Sequence, residues 1–214
     1  MRKAFLLLSL FAVVVLTGCA EIATPVTIYG NQMVVEVTFR GPVDISANRY
    51  FLVLSNNPLF KIPLPPPENT AFEFIEPGMT PLQGAIADYY TTYYSSWSGY
   101  VALDPAGYSL VMGPFVQGQA NTREVVASLG TVTSKITFNF LLDRVFGPVL
   151  PATIYFDMVS VSWPSGYAKF ARDHLTTTNA YISSVAGSTQ TIPDESNDAI
   201  DASLDILNCT VSIQ

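Results

Sequence analysis

The chain has 214 residues, of which 49% are hydrophobic and 13% charged, with a formal charge of −7. An ordinary globular chain carries about 25% charged residues, and an acidic chain with no basic cluster lacks the positive footprint a nucleic-acid partner requires. Two cysteines exclude a disulfide framework, and a single histidine, His174, excludes a metal centre built on several histidines.

The first residues are Met1, Arg2 and Lys3, then an apolar run over 4–16 broken only by Ser9. That run suits the hydrophobic region of an export signal and falls short of the ~20 residues of a spanning helix. Leu16-Thr17-Gly18-Cys19 follows. Positive start, apolar run and tetrapeptide, in that order, resemble the signal peptide and lipobox of bacterial lipoprotein precursors. The resemblance implies that residues 1–18 are removed and that the Cys19 thiol takes a diacylglyceryl group. It implies a location in the cell envelope, held to a membrane by lipid. One acyl chain anchors only marginally, and two or more anchor stably. The residue after Cys19 is Ala20 and not aspartate. In lipoproteins of two-membrane bacteria, that implies the outer membrane. Loss of Arg2 and Lys3 leaves the remainder more acidic still, which argues against electrostatic adhesion to anionic lipid.

Residues 19–32 read as a lipidated tether ending in the turn signal Gly30-Asn31, and 33–214 as one domain. The first expected strand is 33–39, with Val35, Val37 and Phe39 on one face and Val34, Glu36 and Thr38 on the other. Gly41-Pro42 breaks it, 46–49 turns, and 50–55 is a second strand, so the two read as a hairpin. Residues 58–70 are loop, where Pro65-Pro66-Pro67 favours extended polyproline geometry. A short strand is expected at 71–75. Residues 97–103 and 108–112 flank Asp104-Pro105-Ala106-Gly107, a type I turn signal, and read as another hairpin. The clearest alternation runs over 133–142, with Ile136, Phe138, Phe140 and Leu142 in step. Residues 152–162 are a further strand with Ile154, Phe156 and Met158 in step, and Leu207, Cys209, Val211 and Ile213 alternate to the C-terminus. The predicted fold class is all-β: a single antiparallel β-sandwich with long loops at 56–70 and 76–95.

Chemistry-bearing patterns are few. Tyr89, Tyr93 and Trp97 are spaced i, i+4, i+8, one stripe of a helix, although their residue types favour strand. They are either an aromatic platform for a sugar ring or apolar ligand, or rings packed on the sheet. Asp194, Asp198, Asp201 and Asp205 would share one face of a helix. That stretch has no glycine-containing calcium loop, so a solvated acidic face is expected. His174 lies in the polar run Arg172-Asp173-His174 and reads as a surface residue. Cys209, among apolar neighbours, reads as an inert buried thiol. There is no G-x-S-x-G elbow, P-loop or G-x-G-x-x-G. No catalytic residue, metal site or cofactor is assigned. The expected function is a membrane-anchored, non-catalytic binding or structural module of the envelope, with a protein or glycan partner. The alternative is a small carboxylate-dependent hydrolase acting on an envelope glycan.

Overall fold

In a computed structural model of the chain, residues 30–64, 72–82, 88–131, 133–175 and 180–214 are described. Cys19, most of the tether and Pro65-Pro66-Pro67 lie outside them. The strands are β1 (Gln32–Phe39), β2 (Asn48–Ser55), β3 (Gly99–Asp104), β4 (Gly107–Met112), β5 (Thr122–Ala127), β6 (Lys135–Leu141), β7 (Thr153–Ser162), β8 (Phe170–His174), β9 (Ala180–Ser183), β10 (Thr189–Pro193) and β11 (Ile206–Ile213). The described residues also contain two short helices, α1 (Tyr89–Thr92) and α2 (Leu142–Phe146), and a 3-10 turn at Tyr94–Ser96. The strands form two antiparallel sheets, one ordered β10-β11-β1-β6 and a larger one ordered β5-β4-β3-β2-β7-β8, with β9 also on β7. The all-β sandwich expected from the pattern of strands is the architecture observed.

Hydrophobic patterning sorts the strands between the sheets. β1 and β6 alternate, burying Met33, Val35, Val37 and Phe39 on one and Ile136, Phe138 and Phe140 on the other. Both belong to the smaller sheet, whose second face meets solvent. β2 instead carries the unbroken run Tyr50-Phe51-Leu52-Val53-Leu54, and all five residues are buried. Its sheet is covered on both faces. One face packs on the smaller sheet through Leu52, Leu54, Phe156 and Met158. The other, with Phe51, Val53, Tyr100 and Val159, lies under an irregular layer of extended chain and α1. The molecule is thus a sandwich with a third layer.

Several expectations are corrected. β1 and β2 are not a hairpin: β1 pairs with β11 and β6, whereas β2 pairs with β3 and β7. The chain crosses between sheets over 40–47, and Gly41 lets it pass close to Ala202, where a Cβ would stand 2.7 Å from the Ala202 Cβ. No strand forms over 72–75, a piece of the covering layer whose Phe74 N donates at 2.7 Å to the O of Lys169, the residue before β8; Ala71 is outside the described residues. The loop expected at 76–95 contains α1. In β11 a register shift opposite Thr38 and Phe39 buries Ile206 in place of Leu207. The hairpin of β3 and β4 forms as expected, with Asp104 Oδ1 accepting Ala106 N at 2.7 Å and Gly107 at φ +114°. β5, β8, β9 and β10 carry no unbroken apolar alternation and were not anticipated.

Candidate functional site

The aromatic stripe is the first candidate, and the structure buries it. Asp88 caps α1, its Oδ1 accepting Tyr90 N at 2.9 Å, a common helix start. The helix ends after one turn, at Tyr93, whose φ of −121° and ψ of −63° leave the helical region. The rings then pack downward on the large sheet. Tyr89, Tyr93 and Trp97 are only 6%, 4% and 5% exposed. Their polar tips are consumed locally: Tyr89 OH donates to Glu73 O at 3.0 Å and Trp97 Nε1 to Lys61 O at 2.7 Å. Burial pushes the Tyr89 hydroxyl up to about 12. Neighbouring Tyr94 likewise donates to Ile75 O at 2.9 Å. The stripe is a second core: its three rings are nearly enclosed, only Trp97 of the three reaches the wall of a cleft, and together they form no exposed platform. The physical reason is the covering chain at 60–64 and 72–75, which supplies the carbonyls and apolar groups that the rings meet.

The second candidate is a polar cluster at the edge of the large sheet. His174 is not a surface residue: its Nδ1 lies 3.2 Å from Asp157 Oδ2, and the two side chains are 10% and 4% exposed. Asp157 Oδ1 also accepts Leu175 N at 3.2 Å. Burial raises the Asp157 carboxyl, and the hydrogen bond from His174 opposes that rise in part. On the residue before His174, Asp173 Oδ2 accepts Ile206 N at 2.7 Å, and burial lifts its carboxyl to about 7. Asp194 is raised for the same reason.

The acidic stretch 194–205 is a turning loop and not a helix face. Asp205 is fully buried. Its carboxylate bonds Arg40 Nε, Ser196 Oγ at 3.2 Å and Asn197 N at 3.1 Å. Asp198 is exposed and lies 3.5 Å from Arg40, and Asp201 Oδ1 accepts Ser203 N at 2.8 Å. These acids organise a loop. Among the described residues no group of three or more His, Cys, Asp and Glu side chains is arranged to hold a metal ion.

The chemistry available to this cluster is narrow. A His–carboxylate pair contributes to hydrolysis by activating a nucleophile in a substrate-accessible site. His174 is nearly enclosed. Cys209 is buried with its thiol raised to about 12 by burial, so it holds its proton at neutral pH. A carboxylate pair lies beside the aromatic layer, but Arg123 spans it, with Nη2 2.8 Å from Asp104 and Nη1 3.9 Å from Glu76. Glu76 also accepts Tyr100 OH at 2.7 Å. One guanidinium between two acids is the arrangement of a structural ion pair.

The third candidate is a pair of clefts at one end of the sandwich. One, of about 450 Å³, is lined by Asn56, Trp97, Ser98, Pro114, Phe146 and Leu150 among others. The other, of about 570 Å³, is lined by Asn31, Asp143, Pro148, Val149 and Leu150. They meet at Val149 and Leu150. Sequence reading did not single out this region. A signal was present in the loop Gly147-Pro148-Val149-Leu150-Pro151, apolar yet bounded by turn residues. Asp157 offered a comparable signal, being one carboxylate inside an apolar strand.

Comparison with protein-family models, with curated proteins and with solved structures found no match.

Proposed function

We propose that this protein is a lipid-anchored lipoprotein of the bacterial cell envelope, whose sandwich is a non-catalytic binding or structural module held at the membrane through Cys19. The observation that carries the reading is the ordered leader: Arg2-Lys3, the apolar run 4–16, and Leu16-Thr17-Gly18-Cys19. Two features of the fold support it. No described helix is long and apolar enough to cross a membrane, so within the described residues no helix competes with lipid as the anchor. The polar groups that catalysis would use are engaged in holding loops and strand ends, as at Asp157, Asp205 and Glu76. Ala20 after the lipidated cysteine favours the outer membrane in a two-membrane host.

The test is metabolic labelling with a fatty acid. Label enters the wild-type chain and not Cys19→Ala, and the wild type alone sediments with membranes. Equal labelling of both chains would remove the proposal.

A further inference from the structure

We infer that the end of the sandwich carrying Gly30 rests on the lipid surface, with the tips of three uncharged loops, at Leu59, Val116 and Val149, in contact with the bilayer interface. The inference rests on the lipid-anchor reading above and adds an orientation to it.

Strand directions define the two ends. β1 starts at Gln32 beside Leu141 of β6 and Gln214, so the chain arriving from Cys19 enters at this end. β2 runs toward this end, because Ser55 pairs with Tyr155 near the start of β7. β4 also runs toward it, because Met112 pairs with Gly99, the first residue of β3. The loops leaving β2 and β4, the segment from α2 to β7, and the turn after β9 therefore cluster around the entry point. Asn31 is fastened to α2 itself: its Nδ2 donates to Asp143 Oδ2 and its Oδ1 accepts Asp143 N, both at 3.0 Å.

These loops share a composition. Segments 55–60, 113–121, 147–152 and 184–188 contain no Asp, Glu, Lys or Arg. Leu59, Val116 and Val149 within them are 76%, 43% and 84% exposed. Exposed apolar tips without charge suit a lipid interface, where buried charge is costly and each apolar group is favourable. At the rim, Arg144 is paired with Glu124 at 2.7 Å. The opposite end is charged with both signs: Asp44, Asp104, Glu195, Asp198 and Asp201 lie there with Arg40, Arg49, Lys135 and Lys169. Charged loops lose hydration at a lipid interface, which disfavours that end there and favours the end with the uncharged loops.

From Cys19 to Gly30 the chain spans at most about 40 Å even when fully extended, at ~3.5 Å per residue. The chain enters the domain at this end, so the lipid holds the entry point within that span.

The test uses the full lipidated chain in vesicles of phosphatidylethanolamine and phosphatidylglycerol. An environment-sensitive fluorophore is attached through Val149→Cys, or through Tyr167→Cys at the opposite end, where Tyr167 is 72% exposed. Labelled palmitate in the same preparations reports lipidation. The expected result is a blue shift and quenching by acyl-chain spin labels at position 149 and neither at 167. Palmitate present with both positions in water overturns this inference and leaves the anchor intact. A blue shift at 149 without vesicles also overturns it, since a second copy or the tether then covers the loop. Absence of palmitate from the wild type overturns the anchor and this inference together.

Discussion

Asp157 and His174 face each other across a break in the edge of the large sheet. β8 ends with His174 opposite Val159, and β9 begins with Ala180 opposite Phe156. On this side of β7 no described residue pairs with Asp157 or Met158 as a strand, whereas the other side is paired with β2. The Asp157 carboxylate takes the hydrogen bonds there, from Leu175 N at 3.2 Å and with His174 Nδ1 at 3.2 Å. A buried acceptor that holds the end of β8 is a structural element, and its removal has a defined cost. Asp157→Ala leaves the Leu175 amide without that acceptor and should destabilise the fold by about 2–3 kcal/mol. Asp157→Asn keeps an acceptor and removes a buried charge, so its loss should be clearly smaller. Urea midpoints of the two variants decide; equal losses would show that the hydrogen bonds are not what Asp157 contributes.

Asp173 sets a pH dependence. Its folded carboxyl is raised from 3.8 to about 7, chiefly by burial. The native state thus binds this proton more tightly than the unfolded chain does. The group's contribution is most favourable below the unfolded value and falls as pH rises from about 4 to about 7. After allowance for partial exposure, the loss is on the order of 2 kcal/mol. Asp173→Asn should therefore be more stable than wild type at pH 7.5 relative to their difference at pH 4. Thermal midpoints of both proteins across this range measure it, and a difference that stays constant with pH would refute the assignment.

Arg40 anchors the acidic loop through the fully buried Asp205 and through Ile200 O at 2.8 Å. Arg40→Ala leaves a buried carboxylate without its cation and should cost about 3–5 kcal/mol. Asp198→Ala removes only the exposed partner, which is 94% accessible, and should change stability by less than about 1 kcal/mol. Denaturant unfolding of the two variants separates them; similar effects would mean that the loop is held by other contacts.

Trp97 belongs to a core, so its fluorescence should be that of an enclosed indole. In a Trp163→Phe background, which leaves Trp97 as the single tryptophan, emission should be blue-shifted and resistant to acrylamide until the chain unfolds. Trp97→Ala should destabilise the fold by about 3–5 kcal/mol through the cavity it leaves. Ready quenching of the native protein would restore an exposed aromatic face.

Cys209 lies in β11 at 0% exposure, with its thiol raised to about 12 by burial. It should be inert to thiol reagents in the native state and react stoichiometrically in denaturant. Prompt native reactivity would show that β11 opens readily from the smaller sheet.

Much of the strand layout was legible because side-chain alternation is local. The spacing of Val35, Val37 and Phe39 and that of Ile136, Phe138 and Phe140 located two strands and their buried faces. Asp104 through Gly107 carried its own turn chemistry. β8 and β9 were not legible, since strands of 5 and 4 residues at a sheet edge show too little alternation to register. The candidate site fared worse. Tyr89, Tyr93 and Trp97 have the same sequence whether they form a platform or a core, and a covering chain from 60–64 and 72–75 decided between the two.

The sequence by itself determined the charge balance, the order of Arg2-Lys3, apolar run and Cys19, the absence of a multi-histidine centre and the all-β class, each a property of composition or of short-range order. Tertiary structure alone decided that β1 and β2 part to different sheets, that His174 meets Asp157, and that Asp205 is buried while Asp198 is not. Those outcomes depend on which distant segment fills the space beside a residue. His174 and Asp157 are 17 positions apart, and Arg40 and Asp205 are 165 apart. No local periodicity carries information across such separations. The choice is made by burial, which penalises an unpaired charge and so selects the packing in which each buried carboxylate meets its donor.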